Sequence, residues 1–170
     1  MLVVVLACVL APLAAGTPKA AGQRETTLEQ GILRDVNRVR VAHGLQPLTL
    51  SRSLQAAATF QTRSLLANGV FDHSTAASGS FGNRLRRFYP VDGAHSWSVG
   101  ENLLWSSAGI SAQSAVRLWL DSPAHRQTML DPQWHDTGVG AFAASSAPGV
   151  YGSAGAVVVV TMDFGSRGTR

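Results

Sequence analysis

Residues 156–164 of the chain have the sequence AVVVVTMDF. The four consecutive valines at 157–160 do not alternate with polar residues, which is typical of a strand buried on both faces. Residues 137–143 (TGVGAFA) predict a second strand, and the turn-rich residues 144–155 between the two predict a hairpin connection. A strand covered on both faces requires a layer on each side of its sheet, so these stretches favour a sheet with helices on both sides.

Helical patterns occupy most of the chain between residues 26 and 132. Each pattern follows a residue that can cap a helix N-terminus, and the apolar residues of the first pattern recur at helical spacing. Gly44 and Gly69 are typical of residues that end helices. The predicted helices are 28 to about 43 after Thr26 or Thr27, 52–68 after Ser51, 81–88 after Ser80, 112–120 after Ser111, and 123–130 after Ser122.

The N-terminal residues 1–15 form an apolar run, MLVVVLACVLAPLAA, that is distinct from the rest of the chain. A membrane-spanning helix needs about 20 such residues, so the run favours a secretory signal. Three alternatives remain open: an uncleaved anchor, a lipoprotein cleavage box at residues 5–8, and a buried N-terminal strand or helix. We therefore expect a signal peptide or anchor plus linker over 1–22 and one folded domain over 23–170.

Composition excludes several classes of protein. Hydrophobic residues make up 45% of the 170 residues and charged residues 14%, which is typical of one cored domain rather than a disordered chain. The net charge is +4 and no basic run exceeds Arg86–Arg87, so we expect no nucleic-acid partner. The single cysteine, Cys8, lies in the N-terminal run, which excludes disulfides and cysteine-ligated metal from the folded body.

Three side chains are candidates for a metal site. His73 follows the end of a predicted helix, and His125 lies in the first turn of another, where the helix dipole favours the neutral imidazole that binds metal. Glu101 lies between Gly100 and an apolar run, a context typical of a partly buried acid. Two histidines and one carboxylate can form an open zinc site. Their dispersed spacing carries no specificity, so surface or hydrogen-bonded histidines and a solvated loop acid remain the alternatives.

A series of short sequence motifs resembles one known family. The stretches RDVNRVRVAHGLQPLTL (34–50), FDHS (71–74), GENLLW (100–105), WLDSPAHRQTML (119–130), TGVG (137–140) and VVVVTMDFG (157–165) occur in this order. Together they resemble the CAP superfamily of cysteine-rich secretory proteins, antigen 5 and pathogenesis-related 1 proteins. The similarity is to its cysteine-free bacterial branch and covers about residues 28–165.

The resemblance implies an α+β fold, a three-layer α-β-α sandwich with a central antiparallel sheet. It also implies a cleft in which His73, Glu101 and His125 bind a divalent metal, Zn²⁺. Asn102 would support the cleft through hydrogen bonds. Asp121 and Ser122 occupy the stretch where many members carry a second acid, so we expect three protein groups and water.

The resemblance further implies a secreted or cell-surface module that binds an extracellular ligand, namely a lipid, sterol, glycan or protein. We expect a monomer with no catalytic residues, attached to a membrane only through its N-terminal segment if at all. Trp97 and Trp134, in turn contexts, are candidates for exposed groove residues. The alternative is a zinc-dependent hydrolase, which would need Glu101 as a ligand or as a general base, and one carboxylate does not easily do both.

Overall fold

A computed structural model describes residues 22–107 and 109–168. The predicted signal or anchor therefore lies outside the described residues, except for its last residue. Across the described ranges, no helix combines the length and the apolar character that crossing a bilayer requires.

Helices and strands are interspersed along the described chain, with two pairs of consecutive helices. The described chain contains β1 (Gln23–Arg24), α1 (Thr26–Ala42), β2 (Thr49–Leu50), α2 (Arg52–Asn68), α3 (Phe81–Phe88), β3 (Ser96–Ser107), α4 (Ala112–Asp121), α5 (Pro123–Met129), β4 (Asp136–Ala144), a 3₁₀ turn (Gly149–Tyr151) and β5 (Val157–Gly168).

The strands form a single sheet in the order β1-β4-β5-β3, so β3 lies at an edge. Strand β5 pairs antiparallel with both β3 and β4, and β1 pairs antiparallel with β4. The two-residue β2 is the exception, since it runs parallel to the start of β4. The predicted central antiparallel sheet is confirmed, with this short parallel addition.

Both faces of β5 are buried, as its uninterrupted valines predict. Val158 and Val160 pack in a core with residues of α1, α4 and α5. Val157 and Val159 point the other way and pack with Leu65 of α2. The sheet is thus covered by α1, α4 and α5 on one face and by α2 and α3 on the other, which confirms the three-layer sandwich.

Side-chain caps begin three of the helices where the sequence predicts them. Hydroxyls of Ser51, Ser80 and Ser111 each accept a hydrogen bond from a backbone N–H of the first turn. Helix α2 ends at Gly69, whose φ of 65° is readily adopted by glycine. The predicted threonine cap of α1 is wrong: Glu25 is the N-cap, and the helix begins at Thr26.

Two features differ from the sequence predictions. Strand β3 has no counterpart among the predicted strands, because its serines and glycine interrupt the alternation that identifies strands. Trp134 was expected to be exposed, but it is 5% exposed and stacks on Phe164. Its indole N–H donates to the carbonyl of Thr128, so the polar edge of the ring is satisfied inside the fold.

Candidate functional site

His73 lies in the loop between α2 and α3, and α2 holds the backbone of this loop in place. The amide of the buried Gln61 donates hydrogen bonds to the carbonyls of Asp72 and His73. The backbone N–H of Ser74 donates to the Asp72 carboxylate, which closes a local turn. The His73 side chain is 54% exposed, so the ring is presented at the surface from a fixed backbone.

Glu101 of β3 joins His73 to the protein interior. Its Oε1 lies 2.7 Å from Nδ1 of His73, and its Oε2 accepts a 2.6 Å hydrogen bond from Arg84 of α3. The Glu101 side chain is 1% exposed. Both carboxylate oxygens are therefore engaged by protein groups, and Nδ1 is the ring nitrogen through which His73 is held.

A second acid, Asp163, lies beside Glu101. The two residues are directly opposite in the β3–β5 pairing, and the same Arg84 nitrogen is 3.3 Å from Oδ1 of Asp163. Both Arg84 and Asp163 have fully buried side chains. Burial, followed by the charge of Glu101, raises the pKa of Asp163 well above its usual range.

His125 approaches from the other helical layer, in the first turn of α5. Its Nδ1 lies 2.8 Å from the hydroxyl of Ser122, which is used here instead of capping the helix backbone. The side-chain amide of Asn102, the residue after Glu101, donates to the His125 carbonyl at 2.9 Å. Side chains alternate along a strand, so Glu101 and Asn102 fix one histidine on each side of the β3 edge.

The two imidazoles have opposite protonation tendencies. The hydrogen bond to Glu101 raises the pKa of His73 above its ordinary value, although partial burial opposes the shift. Burial, and then the charge of His73, lowers the pKa of His125. His125 is therefore the ring that more readily stays neutral, and His73 is the ring that more readily takes up a proton.

The side chains of His73, Glu101 and His125 differ in how many of their donor atoms are already engaged by protein groups. Within residues 22–107 and 109–168, no three His, Cys, Asp or Glu side chains are grouped so as to hold a metal ion. Among the hydrogen bonds of the same residues, Nε2 of His73 and Nε2 of His125 take no part. Metal-binding histidines commonly anchor one ring nitrogen on a carboxylate or other polar group and ligate through the other. Both rings here are anchored through Nδ1.

The other predicted cleft residues differ in their placement. Asn102 and Ser122 both contact His125, as described above. Asp121 is 70% exposed at the end of α4, where its carboxylate is 3.9 Å from Arg117 on the same helix. The structure therefore places Asn102 and Ser122 against His125 but gives Asp121 a surface ion pair.

Two site residues, Arg84 and Asp163, were missed by sequence reasoning. Arg84 lies in the basic segment FGNRLRRF of α3, where it is indistinguishable from the exposed Arg86 and Arg87 by residue type. Asp163 was visible as an acid inside a strand predicted to be buried on both faces. A buried acid needs a partner, and that expectation could have drawn attention to it.

Comparisons with known proteins agree with this architecture. An extracellular SCP-domain protein of Bacillus anthracis has a crystal structure that matches 84% of this chain and 41% of that one, with 25% identity and a TM-score of 0.65. Two Bacillus subtilis proteins are similar in sequence: the uncharacterized protein YkwD and the uncharacterized membrane protein YlbC. YkwD is 25% identical over 73% of this chain, and YlbC is 31% identical over 68%.

The chain spans less than half the length of these two curated relatives, 46% of YkwD and 32% of YlbC. The family model for the cysteine-rich secretory protein family, CAP, matches residues 33–164. That range contains α2, α3, the edge strand β3, and both His73 and His125. The chain therefore belongs to the CAP family of cysteine-rich secretory proteins.

Proposed function

We propose that this chain is an extracellular or surface-held ligand-binding domain whose cleft binds a divalent metal ion, zinc, through His73 and His125. Glu101 anchors His73 from behind, and Ser122 and Asn102 anchor His125. The observation that carries the proposal is the shared arrangement of the two imidazoles. Each is held through Nδ1, so that Nε2 remains for a ligand.

The charges around the cleft support metal binding near neutral pH. The lowered pKa of His125 favours the neutral ring that a metal requires. The raised pKa of His73 works against binding in acid, since the proton must leave before the ring ligates. We therefore expect zinc affinity to increase with pH until His73 is deprotonated.

A binding module is favoured over a zinc hydrolase by the position of Glu101. A hydrolase of this kind needs a carboxylate that reaches the metal or activates its water. Both oxygens of Glu101 are held by His73 and Arg84, and Asp121 is in a surface ion pair. The proposed ligand is a lipid, sterol, glycan or protein, bound outside the cell in keeping with the extracellular relative.

Zinc titration calorimetry of the chelator-stripped domain tests the metal site. We expect His73→Ala and His125→Ala each to weaken zinc binding, and the double variant to abolish it. His43→Ala and His135→Ala are matched controls, because both rings are exposed and each is hydrogen-bonded to a group outside the cleft. Equal zinc affinity in the double variant and the wild type would refute the metal assignment.

The binding-module proposal needs a separate test. Wild-type domain, with and without zinc, is incubated with panels of lipids, sterols and glycans and then assayed for bound material and for hydrolysis products. We expect retention of one ligand class without turnover. Turnover that is lost in Glu101→Gln would establish the hydrolase instead.

A further inference from the structure

Arg84 has an unusual environment for a guanidinium. Its side chain is completely buried between two acids, with Nη2 2.6 Å from Glu101 and 3.3 Å from Asp163. Its Nε and Nη1, in contrast, are buried without a hydrogen-bond partner within the described residues. An arginine placed only to satisfy the interior would be expected to use more of its donors, so the single nitrogen bridging both acids is the feature to explain.

Helix α3, which carries Arg84, also contacts the His73 loop through Phe81, the first residue of the helix. The backbone N–H of Phe81 donates to the hydroxyl of Ser74, 3.1 Å away. The Phe81 ring meets the His73 ring edge-on, with centroids 6.4 Å apart, and the Arg84 guanidinium lies 5.7 Å from the same phenyl centroid. Helix α3 thus contacts the His73 ring through Phe81, and it contacts Glu101, the carboxylate partner of His73, through Arg84.

Two acids directly opposite on neighbouring strands repel each other when both are charged, and burial strengthens the repulsion. The guanidinium between Glu101 and Asp163 offsets this repulsion and holds one oxygen of Glu101. With Oε2 fixed, the carboxylate can present only Oε1 to Nδ1 of His73. The ring then carries its proton on Nδ1 when neutral, because a carboxylate accepts and the nitrogen must donate.

We propose that Arg84 is the positioning residue of the cleft: by clamping Glu101 against Asp163, it fixes the Nδ1–H tautomer of His73 and so leaves Nε2 for the metal. This inference deepens the proposed function and rests on it only for the metal-binding readout. The tautomer of His73 is a property of the metal-free domain and tests the role of Arg84 independently.

The test uses ¹⁵N-labelled, metal-free protein at alkaline pH, where His73 is neutral. Two-bond ¹H–¹⁵N correlation spectra distinguish the Nδ1–H from the Nε2–H tautomer. The principal variant is the double substitution Arg84→Met with Asp163→Leu, which removes the guanidinium together with the second acid that it contacts, so that Asp163 is not left buried without its partner. Arg84→Lys, which retains the charge on a shorter side chain and so moves the bridging nitrogen away from the two acids, is a second variant in case the double substitution impairs folding.

Arg87→Met is the matched control, since Arg87 is on the same helix but exposed, above the rings of Phe60 and Phe88. We expect wild type and Arg87→Met to show His73 as Nδ1–H, and both Arg84 variants to show a mixture with Nε2–H. Zinc affinity should fall about 10- to 100-fold in the Arg84 variants, the usual effect of losing a group behind a metal ligand.

An unchanged Nδ1–H tautomer in the folded Arg84 variants would overturn the positioning role, whatever the zinc result. Absence of zinc binding by the wild type would instead overturn the proposed metal site. In that case the tautomer comparison still decides the role of Arg84. A zinc affinity in Arg87→Met as low as in the Arg84 variants would also count against the inference. It would mean that removing any positive charge from α3 lowers zinc affinity, whatever its position.

Discussion

Glu101 and Asp163 face each other directly across strands β3 and β5, and Arg84 of α3 bridges their carboxylates. This pairing links the surface of the molecule to its interior. Glu101 carries the contact outward to His73, while Asp163 lies completely buried beneath it. The candidate metal cleft is therefore supported by a charged cluster rather than by an apolar core.

The two cleft histidines should titrate in opposite directions from their ordinary value of 6.5. In an NMR pH titration of the metal-free domain, we expect the pKa of His73 to lie above that value and the pKa of His125 below it. Glu101→Gln should lower the pKa of His73, because the charged hydrogen-bond acceptor is lost. Coincident titration of the two rings in the wild type would contradict the described electrostatics.

The same shifts predict how stability depends on pH. His73 has a raised folded pKa, so its stabilising contribution is complete below the unfolded pKa and is lost as pH rises through the folded pKa. His125 has a lowered folded pKa, so it destabilises the fold as pH falls below about 6.5. The free energy of unfolding of wild type, His73→Gln and His125→Gln is measured by urea unfolding at a series of pH values around 6.5. Each substitution should remove the pH trend of the histidine that it replaces. The same dependence of unfolding free energy on pH in all three proteins would refute the prediction.

Ser122→Ala should lower the affinity for zinc without lowering the stability of the fold. The hydroxyl contacts Nδ1 of His125 and makes no capping bond to α5, so the helix loses no backbone partner. We expect zinc affinity to fall about 10-fold, with a change in unfolding free energy within about 0.5 kcal/mol. Ser111→Ala is the contrasting control: its hydroxyl caps α4, so it should cost about 1 kcal/mol and leave zinc affinity unchanged.

Gly138→Ala should destabilise the domain, because α2 packs directly against this position of the sheet. A Cβ on Gly138 of β4 would collide with the backbone of Leu54 and Gln55, which cannot move without displacing the helix. We expect destabilisation of about 3 kcal/mol or more, measured by urea unfolding. Gly82→Ala in α3 is the control, because nothing lies within 4 Å of the added carbon, and it should stabilise the domain by about 0.5–1 kcal/mol. Equal effects of the two substitutions would contradict the close packing of α2.

Glu29 of α1 should be important for stability although it lies away from the cleft. Its buried carboxylate accepts from the backbone N–H of Ala141, from Gln55 and from Arg24. Glu29→Ala leaves the Ala141 N–H without its acceptor, which alone costs about 1–3 kcal/mol. Asp121→Ala, which removes an exposed ion pair, should change the unfolding free energy by less than about 0.5 kcal/mol. A Glu29→Ala effect as small as that of Asp121→Ala would contradict this role.

Local patterns predicted the elements whose boundaries depend on neighbouring residues. Ser51, Ser80 and Ser111 begin helices because a hydroxyl can reach the N–H groups three residues on, which is a local interaction. The valines of β5 identified a buried strand for a similar reason. Strand β3 was missed because serines and glycine interrupt its alternation, and because Glu101 and Asn102 occupy buried positions that apolar residues would take in an ordinary core strand.

The sequence by itself determined the helices that begin at capping serines and the strand buried on both faces. It also identified His73, Glu101 and His125 as candidate site residues, through motifs that resemble a known family. Only the tertiary structure decided that Glu101 faces Asp163, that Arg84 rather than Arg86 or Arg87 lies between them, and that Asp121 stays at the surface. These outcomes depend on strand register and on the angle at which helices cross the sheet. Both are set by packing between residues far apart in the chain, and no local pattern of residue types encodes them.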